Sequence, residues 1–139
     1  MQLAARFLMV ASAGIILLLG TLHLIYTFHG PKLLPRDPAL QAAMKEVHPV
    51  ITRQTTMWRA WMGFNASHSM GAILFGLVYA FLALYHAELL FHSAYLLAVG
   101  FAMLAGLFVL GKVYWFRVPF IGIGTSLLCY VISILSAWA

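Results

Sequence analysis

The side chains of this 139-residue chain that suit chemistry are few: six histidines, one cysteine, one asparagine and only three acids. Asp37, Glu46 and Glu88 all stand outside the long apolar runs, so a mechanism that needs a buried carboxylate base has no candidate. No nucleophile elbow, phosphate-binding glycine loop, His-Glu-x-x-His motif or carboxylate pair occurs. Cys129 has no partner for a disulfide within the chain. His86, Glu88 and His92 are near one another, but three ligands at irregular spacing without a fourth read as interfacial polar residues rather than a metal site. The sequence nominates no catalytic set and no metal. An enzyme acting on lipids would have His68 as general base and Arg59 or Arg117 on an anionic group.

What remains is a polar cluster inside apolar sequence. Met9, Ala13, Ile16, Gly20, His23 and Thr27 recur at spacings of three and four, as do Trp61, Asn65, His68, Ala72, Phe75 and Tyr79, so each set occupies one face of a helix. At about 1.5 Å per residue, Asn65 and His68 sit one to two turns inside Trp61, a depth comparable to that of His23. Polar side chains at membrane depth face a bundle interior, a cavity or a partner. Thr21, Ser67, Ser69 and Thr125 can line the same region. Arg59, Lys112, Tyr114 and Arg117 would form a rim able to hold a phosphate or carboxylate head group. Three readings follow: Asn and His that only tie helices together, a pocket for an amphipathic ligand, or two axial imidazoles for a single haem b, with Gly20 and Gly71 making room.

These residues need elements to position them, and the composition says which. With 64% hydrophobic and 8% charged residues and a mean hydropathy of +0.98, the chain has more apolar side chains than a soluble core of this size can hide. That excludes a disordered chain, a disulfide scaffold and a nucleic-acid reader. Four stretches, about 7–28, 57–85, 93–111 and 119–138, are each of the roughly 20 apolar residues needed to cross a bilayer. The first is read as a retained span, because its apolar run lies mostly after the Ala11-Ser12-Ala13 tripeptide that a signal peptidase would need. Trp58, Trp61, Tyr85, Tyr95, Tyr114, Trp115 and Trp138 fall near the proposed ends, where interfacial aromatics belong. Gly63-x-x-x-Ser67-x-x-x-Gly71, Ala98-x-x-x-Ala102-x-x-x-Gly106 and Gly122-x-x-x-Ser126 with Ser133 and Ala137 predict close-approach faces, some of which can meet another protein.

The long connection, 29–56, is predicted to carry a short helix on the membrane surface, capped by Asp37, begun by Pro38 and ended by Pro49, with helix resuming from Ile51. The other links are short, which makes successive spans antiparallel. The expected fold is therefore all-α: a single membrane domain over 1–139, a four-helix up-down bundle with a short cytoplasmic surface helix. Lys32, Arg36, Lys45, Arg53, Arg59, Lys112 and Arg117 fall on one side and Arg6 on the other, so the net charge of +5 is a topology signal. It predicts a multi-pass inner-membrane protein with both termini outside the cytoplasm and its basic loops against anionic headgroups.

Pro35-Arg36-Asp37-Pro38-Ala39-Leu40, Thr52-Arg53-Gln54-Thr55-Thr56-Met57-Trp58, Gly63-Phe64-Asn65-Ala66-Ser67-His68-Ser69 and Tyr114-Trp115-Phe116-Arg117-Val118-Pro119-Phe120 carry a resemblance over nearly the whole chain. In these segments it resembles an uncharacterised family of small four-helix bacterial inner-membrane proteins, and that resemblance implies four spans. The layout is also loosely similar to the sterol isomerase and sigma-2 receptor group, whose embedded acids this sequence lacks; what that likeness implies is a lipid-like ligand entering between helices. The expected function is binding of an amphipathic molecule, lipid or quinone-like, by His23, Thr27, Trp61, Asn65 and His68 beneath the basic rim. The alternatives are an accessory subunit of a larger membrane complex or a homo-oligomer, and a b-type haem protein with His23 and His68 as axial ligands.

Overall fold

The computed structural model describes residues 2–138. The elements are α1 (Gln2–Phe28), α2 (Pro38–Glu46), α3 (Met57–Tyr85), α4 (Ala87–His92), α5 (Ala94–Tyr114) and α6 (Arg117–Trp138). No strand occurs among the described residues. Leu3–Phe28, Met57–Tyr85, Ala94–Tyr114 and Arg117–Trp138 are long and apolar enough to cross a membrane, which is the all-α, four-span class the sequence predicts. Tyr85, Tyr95, Tyr114 and Trp138 stand exposed at helix ends, as belt residues do.

Local chemistry sets the boundaries. Asp37 accepts the Ala39 amide at 2.8 Å and Pro38 supplies the first position of α2. Ser93 accepts the Leu96 amide and starts α5. Two expectations need correction. The link at 86–92 is largely a helix of its own, α4, whose Leu90 and Phe91 are buried. Helix does not resume at Ile51: α3 starts at Met57, where the Thr56 hydroxyl accepts the Arg59 amide at 3.3 Å. Before it, the Met57 amide donates to the Val47 carbonyl at 2.8 Å and His48 Nδ1 donates to the Thr55 carbonyl at 2.7 Å, closing a loop with Val50 and Ile51 at its exposed tip. These bonds satisfy the backbone groups that a longer α3 would otherwise have used.

The chain forms two compact units, one from the residues up to Leu19 and from Ala72 onward, the other Gly20–Gly71. In the first, Ala5, Met9, Ala13 and Ile16 of α1 are fully buried or nearly so, as are Tyr130 of α6 and Leu104 of α5. Helices approach closely through small and hydroxyl side chains. Ser126 donates to the Ser12 carbonyl at 2.9 Å, the two hydroxyls are 2.9 Å apart, and Ser133 donates to the Ala5 carbonyl at 2.6 Å. A Cβ on Gly76 would stand 2.6 Å from Leu17 Cβ and 2.8 Å from the Ala13 carbonyl, so the α1–α3 crossing requires glycine there. Arg6, the one basic residue predicted on its side, donates through Nε to the Ala83 carbonyl at 3.0 Å and through its terminal nitrogen to Leu84, covering the end of α3 with positive charge.

The small-residue faces divide. Gly122, Ser126, Ser133 and Ala137 turn inward, and a Cβ on Gly122 would meet Leu19 at 2.9 Å. Ala98, Ala102 and Gly106 are exposed instead, because α5 buries the different stripe of Leu97, Gly100, Leu104, Leu107 and Gly111, and Gly63 and Ser67 of α3 are exposed as well.

Candidate functional site

The polar residues singled out on the first two spans fall in the Gly20–Gly71 unit, where α1 meets the beginning of α3. Asn65 Oδ1 can only accept, so His23 Nε2 is the donor in their 3.0 Å hydrogen bond. The Asn65 amide in turn donates to the Trp61 carbonyl at 2.8 Å, which fixes which way the Asn faces. In a neutral His23 ring this leaves Nδ1 as the acceptor nitrogen. The His68 ring stands edge-on to it, with centroids 5.6 Å apart and planes at 84°. Asn65 is 8% exposed, and both rings are half-buried.

The surrounding hydroxyls have backbone partners. Thr27 donates to the His23 carbonyl at 2.8 Å, and Ser69 to the Asn65 carbonyl at 2.8 Å. Both are buried, so they reinforce the turns that carry His23 and Asn65. Ser67 and Thr125 are exposed and bond to the Phe64 and Ile121 carbonyls of their own helices. Trp61 is 40% exposed, and its indole points at the Leu33 carbonyl at 3.4 Å, fastening the start of α3 to the connection. Lys32 lies over the Tyr26 ring, 3.8 Å from its centroid.

Arg59 is exposed on the first turn of α3 in the same unit. Lys112, Tyr114 and Arg117 are exposed at the α5–α6 corner and belong to the other unit. His86 stands at the N-cap position of α4 with no capping hydrogen bond from its side chain, and His92 Nδ1 donates to the Glu88 carbonyl at 2.9 Å. Among the described residues no three His, Cys, Asp or Glu side chains are grouped to hold a metal ion.

Sequence reading missed a second polar arrangement, in the other unit. Tyr79 donates to the Leu96 carbonyl at 2.6 Å and Tyr130 to the Leu97 carbonyl at 2.9 Å, both over Gly100, whose missing side chain admits the two phenols. The signal was available in Tyr130: a tyrosine in mid-span, away from the interfacial belt, must find a partner for its hydroxyl within the protein.

Fold and site together define a multi-pass membrane protein in which a small amide–imidazole cluster is held between two spans. No family model, curated protein or solved structure matches the chain.

Proposed function

We propose that this is an inner-membrane protein that binds an amphipathic molecule, lipid or quinone-like, at His23, Asn65 and His68, with both termini outside the cytoplasm and its basic loops inside. The observation that supports the reading most is the orientation of His23 by Asn65, with the His68 ring 5.6 Å away. Two helices that needed only a tie would be served by the single hydrogen bond between His23 and Asn65. A second imidazole half-buried beside that bond enlarges the polar surface between the two spans, where Nδ1 of a neutral His23 ring is an acceptor for a ligand's hydroxyl group. The cluster holds no carboxylate, and its buried hydroxyls, Thr27 and Ser69, are bonded to backbone carbonyls, so binding rather than turnover is the activity proposed.

The test is solvent extraction of the purified full chain followed by mass spectrometry. One amphiphile enriched well above its share of the membrane is the expected result, and an extract with the composition of bulk lipid would contradict it. An absorption spectrum on the same sample distinguishes the haem reading, since a Soret band would assign His23 and His68 to iron.

A second reading, an accessory subunit or homo-oligomer, draws support from the exposed Ala98, Ala102 and Gly106 on α5. Crosslinking in membranes should then recover a partner through that face; recovery of uncrosslinked chain alone would remove the reading.

A further inference from the structure

The α5–α6 corner holds a cleft built within one unit. Gly111, Lys112, Trp115, Phe116, Arg117 and Phe120 line a shallow space of about 180 Å³ that is open to the surroundings. Gly111 is buried at the cleft wall, where an added Cβ would come within 3.6 Å of Trp115 and Phe120, and Phe120 stacks on Phe108 with centroids 4.9 Å apart. Lys112 and Arg117 are exposed at its edge, and so is Phe116.

The charge balance here is one-sided. The only acid in this unit is Glu88 in α4, before the start of α5, whereas Lys112 lies in its last turn. A helix of 21 residues separates them by about 30 Å. Among the described residues of the unit no carboxylate can therefore reach either cation, and both lie where two membrane-crossing helices join. The cleft adds aromatic walls to this positive charge, so its chemistry suits an anion joined to an apolar body rather than a hydrated ion. Lys112 offers a point charge and Arg117 a planar fork of donors, the pair that recognises a phosphate from two directions.

We propose that this cleft binds the phosphate of an anionic phospholipid, with Lys112 and Arg117 on the headgroup and Phe116 and Trp115 along the glycerol and first methylenes. All its residues come from the other unit, and the assignment uses no observation on the cluster at His23.

The experiment uses the full chain with Trp58, Trp61 and Trp138 replaced by phenylalanine, so that Trp115 is the sole tryptophan and is excited selectively over the tyrosines. Brominated phosphatidylglycerol and brominated phosphatidylcholine of the same chain length are titrated in mixed micelles. Phosphatidylglycerol is expected to quench Trp115 at roughly tenfold lower mole fraction, and the preference should vanish in Lys112→Gln/Arg117→Gln but survive in Lys45→Gln/Arg53→Gln. Equal quenching by the two lipids, a preference that survives loss of Lys112 and Arg117, or one abolished equally in the control pair would each overturn the proposal. Inorganic phosphate carries the charge without the chain; displacement by it as effective as by short-chain phosphatidylglycerol would assign the cleft to free phosphate and overturn the lipid assignment. Native mass spectrometry of the chain with all four tryptophans and the same two lipids reads the preference without the substitutions.

Discussion

At the scale of single residues, the proposed ligand site turns on an orientation. Asn65 can accept from His23 only because its amide is held by the Trp61 carbonyl, so the Asn works as a positioning residue for the imidazole. Asn65→Leu should leave the helices packed while releasing the His23 ring, and ¹⁵N shifts of the His23 ring should move away from those of a defined Nε2–H tautomer; unchanged shifts would show that the hydrogen bond does not set it. Gly100 makes a sharper case. A Cβ there would lie 2.3 Å from the Tyr130 hydroxyl and 2.7 Å from Tyr79 Cε1. Gly100→Ala should destabilise the protein by about 1–3 kcal/mol through overpacking, read as a fall in the thermal midpoint in detergent. Adding Tyr130→Phe should recover part of that loss, because it removes the nearest of the clashing atoms.

At the scale of elements, helix ends and crossings decide the architecture. Arg6 covers the last carbonyls of α3, and Arg6→Leu should cost about 1 kcal/mol and speed hydrogen exchange over the final turn of that helix. Unchanged exchange at α3 with faster exchange elsewhere would contradict this role. Much at this scale was legible beforehand. Asp37 and Pro38 announce α2 by cap chemistry, and the face Met9, Ala13, Ile16 and Gly20 predicted for α1 is the face it buries. Two features were not. α4 is too short for its periodicity to stand out from a loop, and its helical state comes from burying Leu90 and Phe91. The direction of the small-residue faces was equally hidden: spacing marks Ala98, Ala102 and Gly106 as a stripe, but whether a stripe faces in or out depends on which larger side chains the neighbouring helices accept. The site shows the same division. His23, Asn65 and His68 were found because polar residues are conspicuous in apolar spans, whereas the use of Thr27 and Ser69 as backbone partners depends on rotamers that no spacing encodes.

At the scale of the whole molecule, the spans and the distribution of basic residues carry the proposed topology. Val50, at the exposed tip of the loop before α3, is a suitable reporter. In a Cys129→Ser background, Val50→Cys should resist a membrane-impermeant maleimide in intact cells and react after permeabilisation; labelling in intact cells would invert the orientation proposed from the basic loops. The central claim, however, concerns what the molecule holds. Native mass spectrometry of the purified full chain released gently from detergent tests it most directly. In a Lys112→Gln/Arg117→Gln background, which removes the cations of the α5–α6 corner, the account predicts an adduct of lipid-like mass that survives release and weakens when His68→Ala is added, with α-helical circular dichroism unchanged; a bare protein under the same release, or an adduct equally retained after His68→Ala, would contradict it.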